Sequence, residues 1–286
     1  MTVPTADETQ RPLTPLRVPG VASTAIYGLI SAAGTEATVL GTSAHAVWLL
    51  VNDKVLVVST SDSTRLPNGI QIAAGSSSDL FRMVHHGATV EVGYGRIMLE
   101  GLAVTISRWW DPRPTLSATS PSTLADAIRG LPTEVPDIDG APLRSALVAG
   151  SAGGILHSAR LLLGKGPGLT PEGDDYLAGA LSGTRLLGEA LGRDRTTTLI
   201  AGVSVPLAKL AEARTTSFSA SLIQSALRGQ VAEPAGALLR ALTGRGDIAS
   251  CHQSLLRVGH SSGPALAAGM VLAAQSLIQS GPNGGT

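Results

Sequence analysis

Residues 143–191 read LRSALVAGSAGGILHSARLLLGKGPGLTPEGDDYLAGALSGTRLLGEAL. Two runs rich in Ala and Leu, 143–163 and 174–191, flank a connection rich in Gly and Pro. Apolar residues recur in both runs at helical spacing, and Thr170-Pro171 resembles an N-cap followed by proline at the first helical position. The stretch therefore predicts two helices joined by a tight loop.

The chain on either side of this stretch shows two different patterns. Toward the C-terminus, further Ala- and Leu-rich runs predict helices over residues 197–212, 219–228, 235–242 and 264–278. Before residue 112, β-branched apolar runs flank two turn signals, Asn52-Asp53 and Tyr94-Gly95, and predict two hairpins. Their strands, and one further strand, are expected over residues 45–51, 54–60, 70–73, 89–93 and 96–107.

This order of patterns predicts an α+β fold, in which an N-terminal β-rich half precedes a C-terminal all-helical half. Residues 1–20 are polar and Pro-rich and are interpreted as a flexible arm. We expect a β-rich region over 21–112, a connecting segment over 113–142, and a helical domain over 143–286 that carries the Gly-rich motif. The β-rich region is expected to serve packing and subunit contact, with at most rim residues reaching a ligand pocket.

Composition excludes several classes of function. Lys+Arg and Asp+Glu are 21 each among 286 residues, and aromatic residues make up 3%. A chain without net charge or aromatic platforms does not favour nucleic-acid binding. The apolar runs are shorter than the roughly 20 residues of a membrane span, and a single cysteine, Cys251, favours a reducing compartment. We therefore expect a cytoplasmic protein that contacts neither nucleic acid nor membrane, and the low charge favours association into oligomers.

The Gly-rich connection is the densest chemical signal. Its glycines let the backbone approach a ligand closely, and a helix N-terminus suits a phosphate or a carboxylate. The spacing is neither that of a Walker A loop nor that of a GxGxxG dinucleotide motif. The candidate ligand-binding residues of this segment are Lys165, Gly166, Gly168, Thr170 and Gly173. The alternative is a connection that only caps a helix.

Asp174 and Asp175 follow directly and are candidate catalytic residues. Neighbouring helical residues point about 100° apart, so one carboxylate can serve the helix start while the other faces the loop. Such a carboxylate could bind Mg²⁺, accept a hydrogen bond from a substrate amide, or act as a base. The alternative is that both aspartates only stabilise the helix N-terminus, by about 0.3–1 kcal/mol each.

Two later clusters combine guanidinium, hydroxyl and imidazole groups at predicted helix starts. The first supplies candidate ligand-binding residues Arg214, Thr215, Thr216 and Ser219, and the second supplies Ser261, Ser262 and the candidate catalytic residue His260. Arg forms bidentate pairs with carboxylate or phosphate, and hydroxyls donate to oxyanions. We expect the helix starts at Thr170, Arg214 and Ser261 to line one anion pocket. Helix caps and polar surface are the alternative, and no Cys/His spacing indicates a metal site.

These motifs together resemble a known family. Residues 166–175, GPGLTPEGDD, resemble the central signature of the AllH-type family, the third component of oxamate carbamoyltransferase, except that Glu172 stands where that family usually has Ser. The segment Arg214-Thr215-Thr216-x-x-Ser219 and His260-Ser261-Ser262-Gly263 resemble two later blocks, and the turn at Leu66-Pro67 fits the N-terminal half.

The resemblance implies a component of a carbamoyltransferase in purine-nitrogen catabolism. Its expected ligand is a small anion or carbamoyl compound: carbamoyl phosphate, phosphate or a carboxylate. The expected partners are further copies of the chain or other carbamoyltransferase subunits. No cofactor is implied, although Mg²⁺ is a candidate at the paired aspartates. The alternatives are a non-catalytic structural or partner-binding subunit and a Mg²⁺-dependent phosphoryl-transfer enzyme.

Overall fold

The structure is a computed structural model that describes residues 15–132, 135 and 137–281. Within these residues, eight strands belong to one sheet: β1 (Leu16–Ser23), β2 (Thr35–Thr42), β3 (Ala46–Val51), β4 (Lys54–Ser59), β5 (Gly69–Ile72), β6 (Thr89–Gly93), β7 (Arg96–Leu99) and β8 (Leu102–Trp110). The sheet closes into a barrel in the order β1-β5-β4-β3-β2-β6-β7-β8. The barrel interior is filled by buried Val, Ile and Leu side chains.

The predicted α+β class is wrong, because the N-terminal half is a closed eight-stranded barrel, whereas the prediction gave only a β-rich half. Closure depends on β1, which pairs antiparallel with β5 and parallel with β8. Hairpin signals do not reveal a parallel pairing between strands at opposite ends of a region. Residues 16–20, predicted as part of the arm, lie in β1, and residues 1–14 lie outside the described residues.

The two hairpins predicted from turn signals are present in the barrel. The hairpin of β3 and β4 is confirmed, and its turn residues Asn52 and Asp53 have φ of 47° and 62°, as the two-residue turn requires. The β6–β7 hairpin around Tyr94-Gly95 is also confirmed. The strand predicted over 96–107 is instead two strands, β7 and β8, because the chain turns at Glu100-Gly101.

Helices dominate the remainder of the described chain. Their bounds are α1 (Tyr27–Ser31), α2 (Pro121–Ala127), α3 (Ala141–Ala149), α4 (Ala152–Leu162), α5 (Glu172–Ala190), α6 (Asp194–Arg214), α7 (Ser217–Leu227), α8 (Glu233–Leu242), α9 (Ile248–Leu256) and α10 (Ser262–Gln279). The helix predicted over 143–163 is broken in two, because Gly150 ends α3 at φ 63° and Ser151 caps α4. The sequence patterns did not predict helix α9. In the described part of the chain, no helix is both long and apolar enough to cross a membrane.

Helices α5 and α10 form the centre of the helical half and pack at unusually short distance. A Cβ atom at Gly179 would lie 2.1 Å from the Leu266 carbonyl oxygen, and one at Gly269 would lie 2.1 Å from the Tyr176 carbonyl oxygen. Only glycine permits this approach. The contact fixes the N-terminal ends of both helices beside each other.

The barrel docks on the helical half through β4, the β4–β5 turn and α7. Asn68 Nδ2 donates to Ser221 Oγ at 2.9 Å, and the Glu233 N–H donates to the Arg65 carbonyl oxygen at 3.1 Å. The rings of Trp48 and Phe218 meet edge to face, with centroids 6.4 Å apart. A cleft between barrel and helices begins at this aromatic pair.

Candidate functional site

The Gly-rich connection forms a loop between α4 and α5. Gly164, Gly166 and Gly168 all have positive φ, and a Cβ at Gly173 would lie 2.2 Å from the Leu162 carbonyl oxygen. Helix α5 begins at Glu172 with Pro171 as its N-cap residue, and no side chain caps it. The predicted N-cap role of Thr170 is therefore wrong, and its hydroxyl has another partner.

Asp174 is buried and holds three segments together. Its Oδ1 accepts from the Gly164 N–H at 2.8 Å, and its Oδ2 accepts from the Ser219 hydroxyl at 2.7 Å and from the Thr215 hydroxyl. The donors come from the Gly-rich loop, the end of α6 and the first turn of α7. Both oxygens of this carboxylate are thus engaged within the protein.

Asp175 has a different environment. It is 7% exposed, and its Oδ2 has no hydrogen-bond partner in the described structure. Burial raises the pKa of this carboxyl to about 7, with a further contribution from the charges of Asp174 and Glu172, while the hydroxyls of Ser262 and Thr170 oppose the rise. A carboxyl with a pKa near 7 can both accept and return a proton at neutral pH.

Hydroxyl groups join the starts of α5, α7 and α10. The hydroxyls of Thr170 and Ser262 lie 2.8 Å apart. The Thr216 hydroxyl caps α7 by accepting from the Ser219 N–H at 3.0 Å, and it donates to the Leu169 carbonyl oxygen at 2.6 Å. Members of the three sequence clusters therefore contact one another around the Gly-rich loop.

A cavity of about 670 Å³ lies between the barrel and these helix starts. Thr170, Asp175 and Ser262 form part of its helical wall, with Arg257 beside them. The barrel supplies a further wall, which includes His45, Trp48, Asp62 and Ser63. The expectation that only rim residues of the β-rich region would reach the pocket is therefore wrong, because β3 and the segment after β4 face the cavity directly.

Several predicted site residues lie elsewhere in the described structure. Five of them are exposed and are not part of the cavity lining: Lys165, Gly166, Gly168, Arg214 and His260. Arg214 Nη1 instead lies 3.4 Å from the Arg160 carbonyl oxygen, to which it donates. Of the three helix starts expected to share a pocket, Thr170 reaches the cavity, whereas Arg214 and Ser261 do not line it. The ligand-binding and catalytic roles of these residues stay predictions.

The sequence prediction missed Trp48, Phe218 and Arg257 as lining residues. The two aromatic residues carry one usable signal, since aromatic side chains are scarce in this chain and two of them meet at the cleft. Arg257 is the C-cap residue of α9, a helix that the sequence patterns did not predict.

The described residues contain no group of three or more His, Cys, Asp or Glu side chains arranged to hold a metal ion. The oxygens of Asp174 already accept from three donors. Mg²⁺ at the paired aspartates therefore stays a prediction, without support from a ligand set.

Comparison with known families gives a match over residues 162–274, to the family described as oxamate carbamoyltransferase subunit AllH. This part of the chain is similar to AllH. The match includes the Gly-rich loop, both aspartates and the start of α10, and it confirms the resemblance identified from the motifs. It supports a component associated with carbamoyl transfer and nitrogen metabolism, together with partner subunits. No curated protein and no solved structure matches the chain.

Proposed function

We propose that the chain is the acceptor-binding component of an oxamate-class carbamoyltransferase, and that the acceptor amide binds at Asp175. One observation carries the proposal: a buried carboxyl, with an unpartnered oxygen, faces a cavity within the AllH-like segment. A buried acceptor without a partner costs about 1–3 kcal/mol or more, so a ligand donor at Oδ2 would recover this energy.

The groups around Asp175 suit both ends of a small amide acid. Oxamate carries a primary amide and a carboxylate. An ionised Asp175 accepts from the amide N–H. The Thr170 and Ser262 hydroxyls share a hydrogen bond that uses one of their two protons, so one proton is available to the amide carbonyl. Arg257, on the same cavity, is the matching group for the carboxylate.

The proposed reaction uses Asp175 as the base. The amide nitrogen attacks the carbamoyl carbon of carbamoyl phosphate and forms the new N–C bond. The amide proton passes to Asp175 Oδ2, and the carbon–oxygen bond to phosphate breaks, so that phosphate leaves with the electron pair. A pKa near 7 matches this role, because the proton is accepted and then returned to water at neutral pH.

Carbamoyl phosphate itself is less well matched to this cavity. The lining includes two carboxylates, Asp62 and Asp175, and one guanidinium, Arg257. Two carboxylates repel a phosphate dianion. We therefore assign the phosphate-binding groups to a partner subunit in a cytoplasmic assembly that acts in purine-nitrogen catabolism.

The test compares Asp175→Asn with Asp62→Asn in the full chain. Asp62 lies on the same cavity but is exposed, and its carboxylate already accepts from the Ser76 hydroxyl at 2.5 Å. By calorimetry at pH 8, we expect Asp175→Asn to weaken oxamate binding at least tenfold and Asp62→Asn to change it less than twofold. In the assembly with its partner subunits, the carbamoyl-transfer rate of Asp175→Asn should fall about 100-fold or more.

Equal oxamate affinity and equal transfer rate in wild type and Asp175→Asn would overturn this proposal. That result would favour the alternative of a structural or partner-binding subunit, for which the fully engaged Asp174 is the more important aspartate.

A further inference from the structure

The cavity is much larger than the ligand that its polar end accommodates. Oxamate has six heavy atoms, and at about 30 Å³ per heavy atom, the share of a water molecule in the liquid, it would occupy about 180 Å³. The cavity measures about 670 Å³. The carbamoyl group that must reach the amide nitrogen adds three heavy atoms, or about 90 Å³, and about 400 Å³ would still remain without ligand.

Most of the remaining wall is apolar, although His45, Asp62 and Ser63 also lie on it. The apolar part is formed by Trp48 and Leu66 from the barrel side, Phe218 and Leu222 from α7, Val231 before α8, and Leu266 from α10. Removing apolar surface of this kind from water stabilises a complex by about 25 cal/mol per Å². A polar ligand would not bury it against apolar atoms and would lack this stabilisation.

An aromatic group is the apolar body that this wall fits best. Trp48 and Phe218 meet edge to face, and each can offer a ring to a third ring in the same kind of geometry. Trp48 Nε1 is buried and has no hydrogen-bond partner among the described residues.

We propose that the acceptor is a primary amide acid larger than oxamate, in which a planar, ring-sized apolar body separates the amide from the carboxylate. The amide binds at Asp175, and the body lies against Trp48 and Phe218. This inference rests on the proposed function, because it takes the same amide site as its starting point.

The probes are oxamate and 4-carbamoylbenzoate, which carry the same amide and carboxylate and differ by a phenylene ring. We expect wild type to bind 4-carbamoylbenzoate at least tenfold more tightly than oxamate. Trp48→Ala should remove this preference and leave oxamate affinity within twofold. The matched control is Trp109→Ala: this tryptophan contacts Tyr27 at a centroid distance of 5.0 Å and lies outside the cavity lining, so the preference should persist.

A second variant guards against a folding defect in Trp48→Ala. Ala232 is half-buried on the cavity wall just before α8, so Ala232→Leu fills apolar space without removing a core side chain. We expect this variant to weaken 4-carbamoylbenzoate at least tenfold and to spare oxamate.

The outcomes separate this inference from the function on which it rests. If oxamate binds through Asp175 but 4-carbamoylbenzoate binds no better, the larger acceptor is wrong and the proposed function stands. If neither probe binds wild type, both proposals are overturned.

Discussion

Asp174 and Asp175 are adjacent at the start of α5, yet one carboxylate accepts from three donors while the other has an oxygen without a partner. The difference follows from helix geometry, since neighbouring side chains point about 100° apart. Asp174 faces the loop and the α6–α7 junction, whereas Asp175 faces the cavity. Both oxygens of Asp174 are thus engaged within the protein, whereas Oδ2 of Asp175 is not. We therefore expect an architectural role for Asp174 and a ligand-binding role for Asp175.

Asp174→Asn should destabilise the fold. The amide group replaces an acceptor oxygen that faces the Thr215 and Ser219 hydroxyls, and hydrogen bonds to a charged group contribute about 1.5–3 kcal/mol each. We expect the free energy of unfolding, measured in urea, to fall by about 2 kcal/mol or more. The control is Asp126→Asn, which breaks an exposed ion pair with Arg129 and should cost less than about 1 kcal/mol. Equal losses in the two variants would contradict the architectural role.

Asp175 should make the protein less stable as the pH rises. Its pKa is about 7 in the folded state against an ordinary aspartate value of 3.8, so the unfolded chain releases this proton first. The contribution of Asp175 to the free energy of unfolding is therefore lost between about pH 4 and pH 7 and does not change above that range. The full loss is on the order of 4 kcal/mol, since each pKa unit corresponds to about 1.4 kcal/mol.

Asp175→Asn cannot titrate and should lack this loss. Urea unfolding at several pH values between 4 and 8 would show the stability difference between variant and wild type growing in favour of the variant. Parallel stability curves would show that the Asp175 carboxyl has an ordinary pKa.

Short-range sequence patterns account for the elements that the sequence predicted correctly. Asn52-Asp53 specifies the β3–β4 hairpin, and the Ala- and Leu-rich run after Pro171 specifies α5. The barrel was not predicted, because its closure depends on β1 pairing in parallel with β8, a contact between strands far apart in sequence. No short-range pattern encodes such a pairing.

The candidate site also combines residues that lie in a local motif with residues that only tertiary contacts place there. The Gly-rich motif contains Thr170, Asp174 and Asp175, whose ligand-binding and catalytic roles stay predictions. It did not separate the roles of the two aspartates, because that separation depends on donors from the α6–α7 junction. Trp48 reaches the cavity only because the barrel docks on α7, so its position follows from tertiary structure and not from its neighbours in sequence.

The contact between α5 and α10 should not tolerate a methyl group. A Cβ at Gly179 would lie 2.1 Å from the Leu266 carbonyl oxygen, so Gly179→Ala forces the two helices apart. Overpacking of this kind costs about 1–3 kcal/mol, occasionally more. Gly202→Ala on α6 is the matched control, since a Cβ there meets no atom within 4 Å, and it should stabilise the helix by about 0.5–1 kcal/mol. Melting experiments on both variants test the contact, and a stabilised Gly179→Ala would contradict it.

Ser262→Ala should raise the pKa of Asp175 further. The Ser262 hydroxyl stabilises the ionised carboxylate and so lowers the pKa of Asp175, whereas burial raises it. Without this hydroxyl, less opposes the effect of burial. The lost hydrogen bond stabilised the charged form, so the titration midpoint should move upward. The pKa can be followed directly by NMR titration of the ¹³C-labelled aspartate carboxyls, with Asp175→Asn to assign the signal. Ser261→Ala is the control, because the neighbouring serine makes no side-chain capping bond and lies outside the cavity lining in the described structure. If both serine variants leave the titration midpoint near 7, the Ser262 hydroxyl does not act on Asp175.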